Sequence, residues 1–183
     1  MENEAKIAKR KKLRDDAFDW VFEIVLALVV LLLVFTFSVR TVDVFGKSMN
    51  PTLYQGEKLL INRLFYQPKR GDIVVVTKPC GDEPLIKRVI ATEGQEINID
   101  FNLGEVYVDG VKLEEPYIME ATRRQADMTF PQTVPEGCVF VMGDNRMNSK
   151  DSRWEVIGMV DERYIMGKVI LRLTPFTKFG KVE

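Results

Sequence analysis

Residues Glu105–Leu113 read EVYVDGVKL and carry the clearest backbone signal in the chain. Apolar and polar side chains alternate on both sides of Asp109-Gly110, a dipeptide that favours the tight turn of an antiparallel hairpin. Other short runs rich in β-branched residues are predicted to be strands, at residues 57–62, 72–77, 85–91, 96–100, 138–142 and 164–173. The chain is therefore predicted to be mainly β, with an antiparallel sheet or barrel-like architecture.

The N-terminal part of the chain has a different character. Residues 24–39 are 16 consecutive uncharged, mostly apolar positions, and residues 20–23, of which Glu23 is charged and lies near the end, extend the segment to 20. A helix of 20 residues rises about 30 Å, the thickness of the hydrocarbon core of a bilayer. Residues 20–39 are therefore predicted to be a transmembrane anchor. A cleaved secretory signal peptide is the alternative, although the run is long for one and residues 36–38 fit a cleavage site poorly.

The distribution of basic residues predicts how this anchor is oriented. Several of them precede the apolar run, at Lys6, Lys9, Arg10, Lys11, Lys12 and Arg14. Only Arg40 and Lys47 follow shortly after it. Because Lys and Arg stay on the cytoplasmic side, residues 1–19 are predicted to be cytoplasmic and residues 40–183 extracytoplasmic.

Composition argues against several classes of function. The formal net charge is −1 and no part of the β region is strongly basic, so no nucleic-acid partner is predicted. The chain has no histidine, and its two cysteines, Cys80 and Cys138, do not form a CxxC pair. No metal site and no cofactor are therefore predicted. The sequence leaves open whether the two cysteines are separate buried thiols or a disulfide.

The absence of histidine also excludes a Ser-His-Asp triad, so a nucleophilic serine would need another base, such as a buried lysine. Ser48 lies in FGKSMNPTL, residues 45–53. Gly46-Lys47-Ser48 resembles the end of a phosphate-binding loop, but Thr41 stands where that motif needs glycine and Pro51 opposes a helix start. A turn that exposes the Ser48 hydroxyl and aims its N–H at an oxyanion fits better.

Lys87 lies in LIKRVI, residues 85–90, where successive side chains alternate between the two faces of a strand. Lys87 shares its face with Leu85 and Val89, whereas Arg88 lies on the other face. Both faces are apolar, so the sequence does not decide which one is buried. A buried Lys87 would have a lowered pKa and would be a general base; a solvated lysine is the alternative.

Residues 143–153, GDNRMNSKDSR, concentrate side chains that hydrogen-bond the backbone of turns. Asp144 and Asp151 are predicted to form ion pairs with Arg146 and Arg153. A calcium loop is the alternative, but the basic residues of the segment would repel a cation. Residues 114–132 show no periodicity and are predicted to be a loop that leaves the core.

Together these segments resemble bacterial type I signal peptidases, in the compact form found in Gram-positive species. The anchor comes first, followed by the Ser48 segment, Gly71-Asp72-Ile73-Val74, the Lys87 segment and residues 143–153. The resemblance covers nearly the whole chain and rests on the order and spacing of these motifs. It implies a β domain of the kind shared with LexA-type repressors, with a small cap at about residues 100–135.

The resemblance also implies roles for individual residues. Ser48 would be the nucleophile, Lys87 the general base and the Ser48 N–H part of the oxyanion hole. Ser149 would orient the lysine, and the site would be held together by Asp144, Arg146, Asp151 and Arg153. The strand that contains Leu85 and Ile86 would pair with an extended substrate. Shallow pockets selecting small residues, as in Ala-x-Ala, would be lined by Val44, Met49, Leu53, Leu85 and Ile86.

Two departures from the family pattern concern the site. Gly46 stands where some members carry a serine whose hydroxyl completes the oxyanion hole, so the second donor is left open. Met147 stands where some members carry an aspartate. The resemblance predicts exported preproteins and the lipid bilayer as partners of a monomer. The rival interpretations are a LexA-like autoprotease, which would need a cleavable linker, and a tethered binding domain, which would leave Ser48 and Lys87 unexplained.

Overall fold

The computed structural model describes residues 2–77 and 83–182. The described elements, in chain order, are α1 (Glu2–Ser38), β1 (Val39–Asp43), β2 (Lys58–Asn62), β3 (Ile73–Val76), β4 (Leu85–Thr92), β5 (Glu96–Asp100), β6 (Glu105–Val108), β7 (Val111–Lys112), β8 (Gln132–Thr133), β9 (Cys138–Met142), β10 (Val160–Asp161) and β11 (Ile165–Thr174). Short 3₁₀ helices span Glu162–Tyr164 and Phe176–Lys178. The chain divides into a helical unit ending at Ser38 and a β unit beginning at Val39.

The helix α1 is longer than the predicted anchor. It begins at Glu2, so it includes the basic N-terminal stretch, and it ends at Ser38, whereas Val39 already belongs to β1. Within it, Ala17–Val34 is an 18-residue candidate membrane span with a mean hydropathy of 2.5. Its length and composition are those of a helix that crosses a bilayer.

The β unit contains two antiparallel sheets. The larger sheet has the strand order β1-β2-β11-β3-β4-β9-β10 and curls into half a barrel. The smaller sheet has the order β7-β6-β5-β8. The predicted mainly β, antiparallel fold preceded by an N-terminal apolar helix is thus confirmed. The strands β1, β8 and β10 were not predicted, because β1 follows the apolar run directly and the other two have only two residues each.

The hairpin at residues 105–113 has the predicted form. Val108 pairs with Val111 across the turn, and the two turn residues, Asp109 and Gly110, have φ values of 53° and 74°. Positive φ at both central positions is what a type I′ turn requires. This hairpin, joined by β5 and β8, forms the small sheet beside the larger one.

The strand β4 ties the β unit together, because it contributes to three apolar clusters. Ile86 packs in the cluster that contains Met49 and Leu53, Val89 packs in a second cluster around Val141, and Ile90 packs in a third. Buried positions therefore occur on both faces of β4. The sequence did not decide which face of this strand is buried. In the structure both faces are buried, since Lys87 and Arg88 lie on opposite faces and are each 3% exposed.

Of the two cysteines, Cys138 is half-buried and carries a free thiol. Cys80 lies outside the described residues.

Candidate active site

Ser48 lies in a tight turn that follows β1. The amides of Asn50 and Leu53 bond the carbonyls of Lys47 and Met49, which folds the segment back on itself. Met49 and Leu53 point into the core, with exposures of 2% and 0%, whereas Ser48 is only half-buried. The buried neighbours fix the turn, and the Ser48 hydroxyl remains accessible from outside.

Lys87 meets this hydroxyl from β4. Its Nζ lies 2.8 Å from Ser48 Oγ and donates a second hydrogen bond, of 3.0 Å, to the Ile86 carbonyl. The strand is held by β3, where Val74 pairs with Lys87. The fold therefore brings the two predicted site residues to hydrogen-bond distance although 39 positions separate them in the chain.

The surroundings of Lys87 disfavour its cation. Burial lowers the pKa of Lys87 to about 8, and the nearby Arg153 acts in the same direction. The carboxylates of Asp151 and Asp144 oppose this shift but do not cancel it. At pH 7 roughly one Lys87 in ten is then neutral, against fewer than about one in 2,000 for a solvated lysine. A neutral amine next to a hydroxyl is equipped to accept its proton.

A loop over residues 143–153 supports the Ser48 turn from behind. The Asn145 amide donates to the Ser48 carbonyl at 3.0 Å, and Asn145 Nδ2 donates to the Lys47 carbonyl at 3.1 Å. Gly143 lies so close to the turn that a Cβ there would stand 2.5 Å from the Ser48 carbonyl oxygen. Only glycine fits at position 143. No individual role was predicted for Asn145, because its partners are backbone atoms of a distant segment.

The ion pairs of this loop differ in part from those predicted. Arg153 and Asp151 do form a bidentate pair, with bonds of 2.8 and 2.9 Å. Asp144, however, pairs with Arg88 at 2.9 and 2.8 Å, and it also accepts a hydrogen bond from Thr52 Oγ1. Arg146 pairs with Glu115 instead of an aspartate of its own loop. The actual partners come from β4 and from the excursion after β7, which local spacing does not reveal.

Asp151 anchors the start of this loop. Its Oδ2 accepts a hydrogen bond from the Gly143 amide at 3.0 Å. Burial alone would raise the pKa of Asp151, but the bonds from Arg153 and Gly143 outweigh it and hold that pKa below its ordinary value. Asp151 is therefore a carboxylate at neutral pH, and it is one of the charges that act on Lys87.

Ser149 is buried in the same place, at 2% exposure. Its Oγ makes no hydrogen bond to Lys87 in this conformation, and it lies close enough to the Asp151 carboxylate to help lower the pKa of that group. The hydroxyl nevertheless lies at the site, since a Cβ on Gly143 would stand 2.3 Å from it. Its orienting role stays a prediction.

The Ser48 amide makes no hydrogen bond within the described part of the chain. A free N–H directly at a nucleophile is the usual first donor of an oxyanion hole. Gly46, at φ 75°, is exposed and offers no side-chain donor. Residue 46 thus lacks the side-chain donor of the family pattern, and the identity of the second donor stays open.

The five apolar residues expected to line substrate pockets fall into two groups. Val44, Met49, Leu53 and Ile86 pack in one cluster, with exposures of 0–7%. Leu85 is half-buried and packs against another cluster, the one that contains Val74 and Val76. Among the described residues, no group of three or more His, Cys, Asp or Glu side chains is arranged to hold a metal ion.

The chain is similar to known proteins of one peptidase family. Residues 17–174 match the family described as "Signal peptidase, peptidase S26". The chain is 34% identical to signal peptidase I of Bacillus licheniformis, over 93% of this chain and 95% of that protein. It is 33% identical to signal peptidase IB of Staphylococcus aureus, over 91% and 94%. A crystal structure of a signal peptidase I from Enterococcus faecalis is 31% identical, with a TM-score of 0.46, over 56% of this chain and 97% of that one.

The chain therefore belongs to the signal peptidase family of peptidases, S26. Within it, the similarity to signal peptidases I and IB over most of both chains makes the protein a serine peptidase of the signal peptidase I type.

Proposed function

We propose that the protein cleaves signal peptides from exported preproteins by attack of Ser48 on the scissile carbonyl, with Lys87 as general base. The observation that carries this proposal is the 2.8 Å contact between the half-buried Ser48 hydroxyl and the buried Lys87 amine. A neutral amine at that distance removes the hydroxyl proton as the Oγ–carbon bond forms. The Ser48 N–H stabilises the negative charge that develops on the carbonyl oxygen.

The protonated Lys87 then completes the first half of the reaction. It gives its proton to the leaving nitrogen, the C–N bond breaks, and the mature protein departs with a free amino terminus. The signal peptide remains esterified to Ser48. Water attacks this ester as Lys87 takes one of its protons, and the second product leaves as a carboxylate while Ser48 regains its hydrogen.

The substrate is proposed to bind as an extended strand beside β4. β4 pairs with β3 over Leu85–Arg88, but β9 joins its other side only from Arg88 onward. The backbone on that side of residues 85–87 therefore has no strand partner among the described residues, which leaves this edge open to an extended peptide. Val44, Met49, Leu53 and Ile86 are packed into the core and leave little depth, which favours alanine at the two positions of an Ala-x-Ala site.

The rate of cleavage should depend on pH through Lys87. We expect log kcat/KM to rise with unit slope below about pH 8 and to level off above it, because only the neutral amine accepts the Ser48 proton. The test is steady-state cleavage of a preprotein by the full chain between pH 6 and 10. A rate that is flat from pH 6 to 9 would contradict a lysine base with this pKa.

The membrane arrangement is proposed on separate grounds. α1 anchors a monomeric protein, with residues 1–19 in the cytoplasm and the catalytic residues 40–183 outside, as supported by the apolar span and its preceding basic residues. Phe65 is 94% exposed, and we propose that it contacts lipid. Protease added outside spheroplasts should digest the β unit; protection of it would contradict this orientation.

A further inference from the structure

The segment that follows β7 contacts the loop of residues 143–153, which we call the active-site loop. We name residues 114–124 the strap. Three of its side chains converge on Arg146: the Glu115 carboxylate accepts bonds of 2.6 and 3.0 Å from the two terminal nitrogens, and Thr122 Oγ1 accepts one of 2.7 Å. The ring of Tyr117 lies 5.9 Å from the Arg146 guanidinium carbon. The sequence indicated only an irregular loop here, because these contacts have no local periodicity.

The Glu115–Arg146 pair is buried, with side-chain exposures of 6% and 0%. The remaining Arg146 nitrogen, Nε, donates to the Gly143 carbonyl at 3.0 Å. Arg146 therefore connects the strap to the first residue of the active-site loop. A bidentate arginine–carboxylate pair fixes orientation as well as distance, and removing the carboxylate would leave an uncompensated buried cation.

Tyr117 connects the strap to the Lys87 strand in a second way. Its ring stacks on Arg88 with 4.0 Å between the ring centre and the guanidinium carbon, and its hydroxyl donates to Glu115 at 3.0 Å. Arg88 directly follows Lys87 and holds both oxygens of Asp144. The two arginines that fix residues 143–146 thus share one strap tyrosine.

Two further hydrogen bonds link Arg146 to Ser48. Arg146 holds the Gly143 carbonyl, and Asn145, two residues later, donates its amide to the Ser48 carbonyl. We propose that Glu115 is a positioning residue for peptide hydrolysis: through Arg146 it holds residues 143–145 so that Ser48 Oγ stays at attacking distance from Lys87. This inference rests on the proposed roles of Ser48 and Lys87.

The test is steady-state cleavage of a preprotein by the full-length Glu115→Gln variant. We expect kcat to fall about 10–100-fold while KM changes less than about twofold, because misplacement of a reacting group by an ångström costs that much in rate. A role in substrate binding would raise KM instead. Unchanged kcat, or a loss confined to KM, would overturn the proposal.

Two matched variants separate positioning from general destabilisation. Glu105→Gln also removes a carboxylate paired with a cation, Lys112, but this pair lies in the small sheet and Glu105 is not among the side chains that bond Arg146. Ile97→Ala opens a cavity in the core beneath that sheet, since Ile97 is 0% exposed. Both should keep wild-type kcat at temperatures where the protein stays folded. A loss in Ile97→Ala equal to that in Glu115→Gln would assign Glu115 to stability alone.

The double variant Glu115→Gln/Arg146→Met tests the route itself. If Glu115 acts through Arg146, the double variant loses no more kcat than Arg146→Met alone, whereas losses that multiply would overturn the proposal.

If Glu115→Gln does not fold, the Tyr117→Phe variant tests the role of Glu115 instead. That variant keeps the ring against Arg88 and removes only the bond to Glu115, so kcat should fall several-fold; wild-type kcat there would assign Glu115 to folding.

Cleavage by the wild type and by Ser48→Ala distinguishes failure of the proposed function from failure of the proposed role of Glu115. A wild-type chain that cleaves no preprotein, or a Ser48→Ala variant that still cleaves, would remove the proposed mechanism. Normal wild-type cleavage with an unaffected Glu115→Gln variant would remove only the role of Glu115.

Discussion

Replacing Ser48 with alanine should lower preprotein cleavage by about 10⁴-fold or more, with the fold intact. The hydroxyl is the proposed nucleophile, and without it no covalent intermediate forms, so residual turnover would reflect binding and the oxyanion donor alone. The side chain is half-buried at the surface of a turn that is fixed by Met49 and Leu53. The variant should therefore stay folded and lose at most about 1–3 kcal/mol in the free energy of unfolding, because the Lys87 amine loses one acceptor but keeps the Ile86 carbonyl.

Ser152→Ala is the matched control for this substitution. Ser152 is fully buried, and its Oγ accepts a hydrogen bond of 3.0 Å from the Val141 amide. Removing this bond should reduce the free energy of unfolding by about 1–2 kcal/mol and leave turnover of the folded protein near normal. The assignment of Ser48 would be wrong if the two variants lost activity to the same extent.

Lys87→Met should have the second-largest effect on cleavage, a loss of at least about 10³-fold at pH 8, because no other base lies at Ser48 Oγ among the described residues. Combining it with Ser48→Ala should cost no more than either change alone, since the two residues act as a unit. Lys168→Met is the control. That lysine is 38% exposed and pairs with Asp72, so its loss should leave turnover unchanged.

The same Lys87→Met variant should be more stable than the wild type. Burial lowers the pKa of Lys87 from 10.5 to about 8, a difference that corresponds to about 3 kcal/mol of destabilisation by the buried cation. Methionine fills a similar volume without a charge, so we expect a gain of about 1–3 kcal/mol in the free energy of unfolding at pH 7. Denaturant unfolding measures it, and a variant less stable than the wild type would argue against a strained lysine.

The gain should also depend on pH in a defined direction. Below about pH 8 both the folded and the unfolded wild type bind the lysine proton, and the full penalty applies. Between pH 8 and 10.5 the unfolded chain binds a proton that the folded protein has released, so wild-type stability rises with pH. The advantage of Lys87→Met should therefore shrink across that window.

The sequence predicted the parts of the fold that depend on local pattern. The strands at 96–100 and 138–142 have the predicted bounds, and the Asp109-Gly110 turn has the predicted conformation. β1 was missed because its first residue, Val39, ends the apolar run that indicated a helix, and the four residues after it include the charged Arg40 and Asp43. Two-residue strands such as β8 and β10 exist only because a neighbouring strand pairs with them, and no local signal marks them.

Part of the candidate site could likewise be predicted from the sequence, and part could not. Ser48 and Lys87 could be selected because the missing histidine and the order of motifs restrict the choice. The partners of Asp144 and Arg146 could not be predicted. Local spacing indicates an ion pair between a carboxylate and a guanidinium that are close in sequence, whereas the folded chain brings better-placed partners from other elements. Here Arg88 and Glu115 come from other elements and enclose the loop.

The most direct test of the Ser48–Lys87 assignment is to trap the ester intermediate. An ester substrate that carries a signal-peptide sequence up to the cleavage site would be mixed with the full chain, quenched in acid within the first turnover, and mapped by mass spectrometry. We predict an acyl group on Ser48 in the wild type and at least about 10³-fold slower acylation in Lys87→Met. An acyl group on any other residue, or acylation of Ser48 at an undiminished rate without Lys87, would contradict the mechanism.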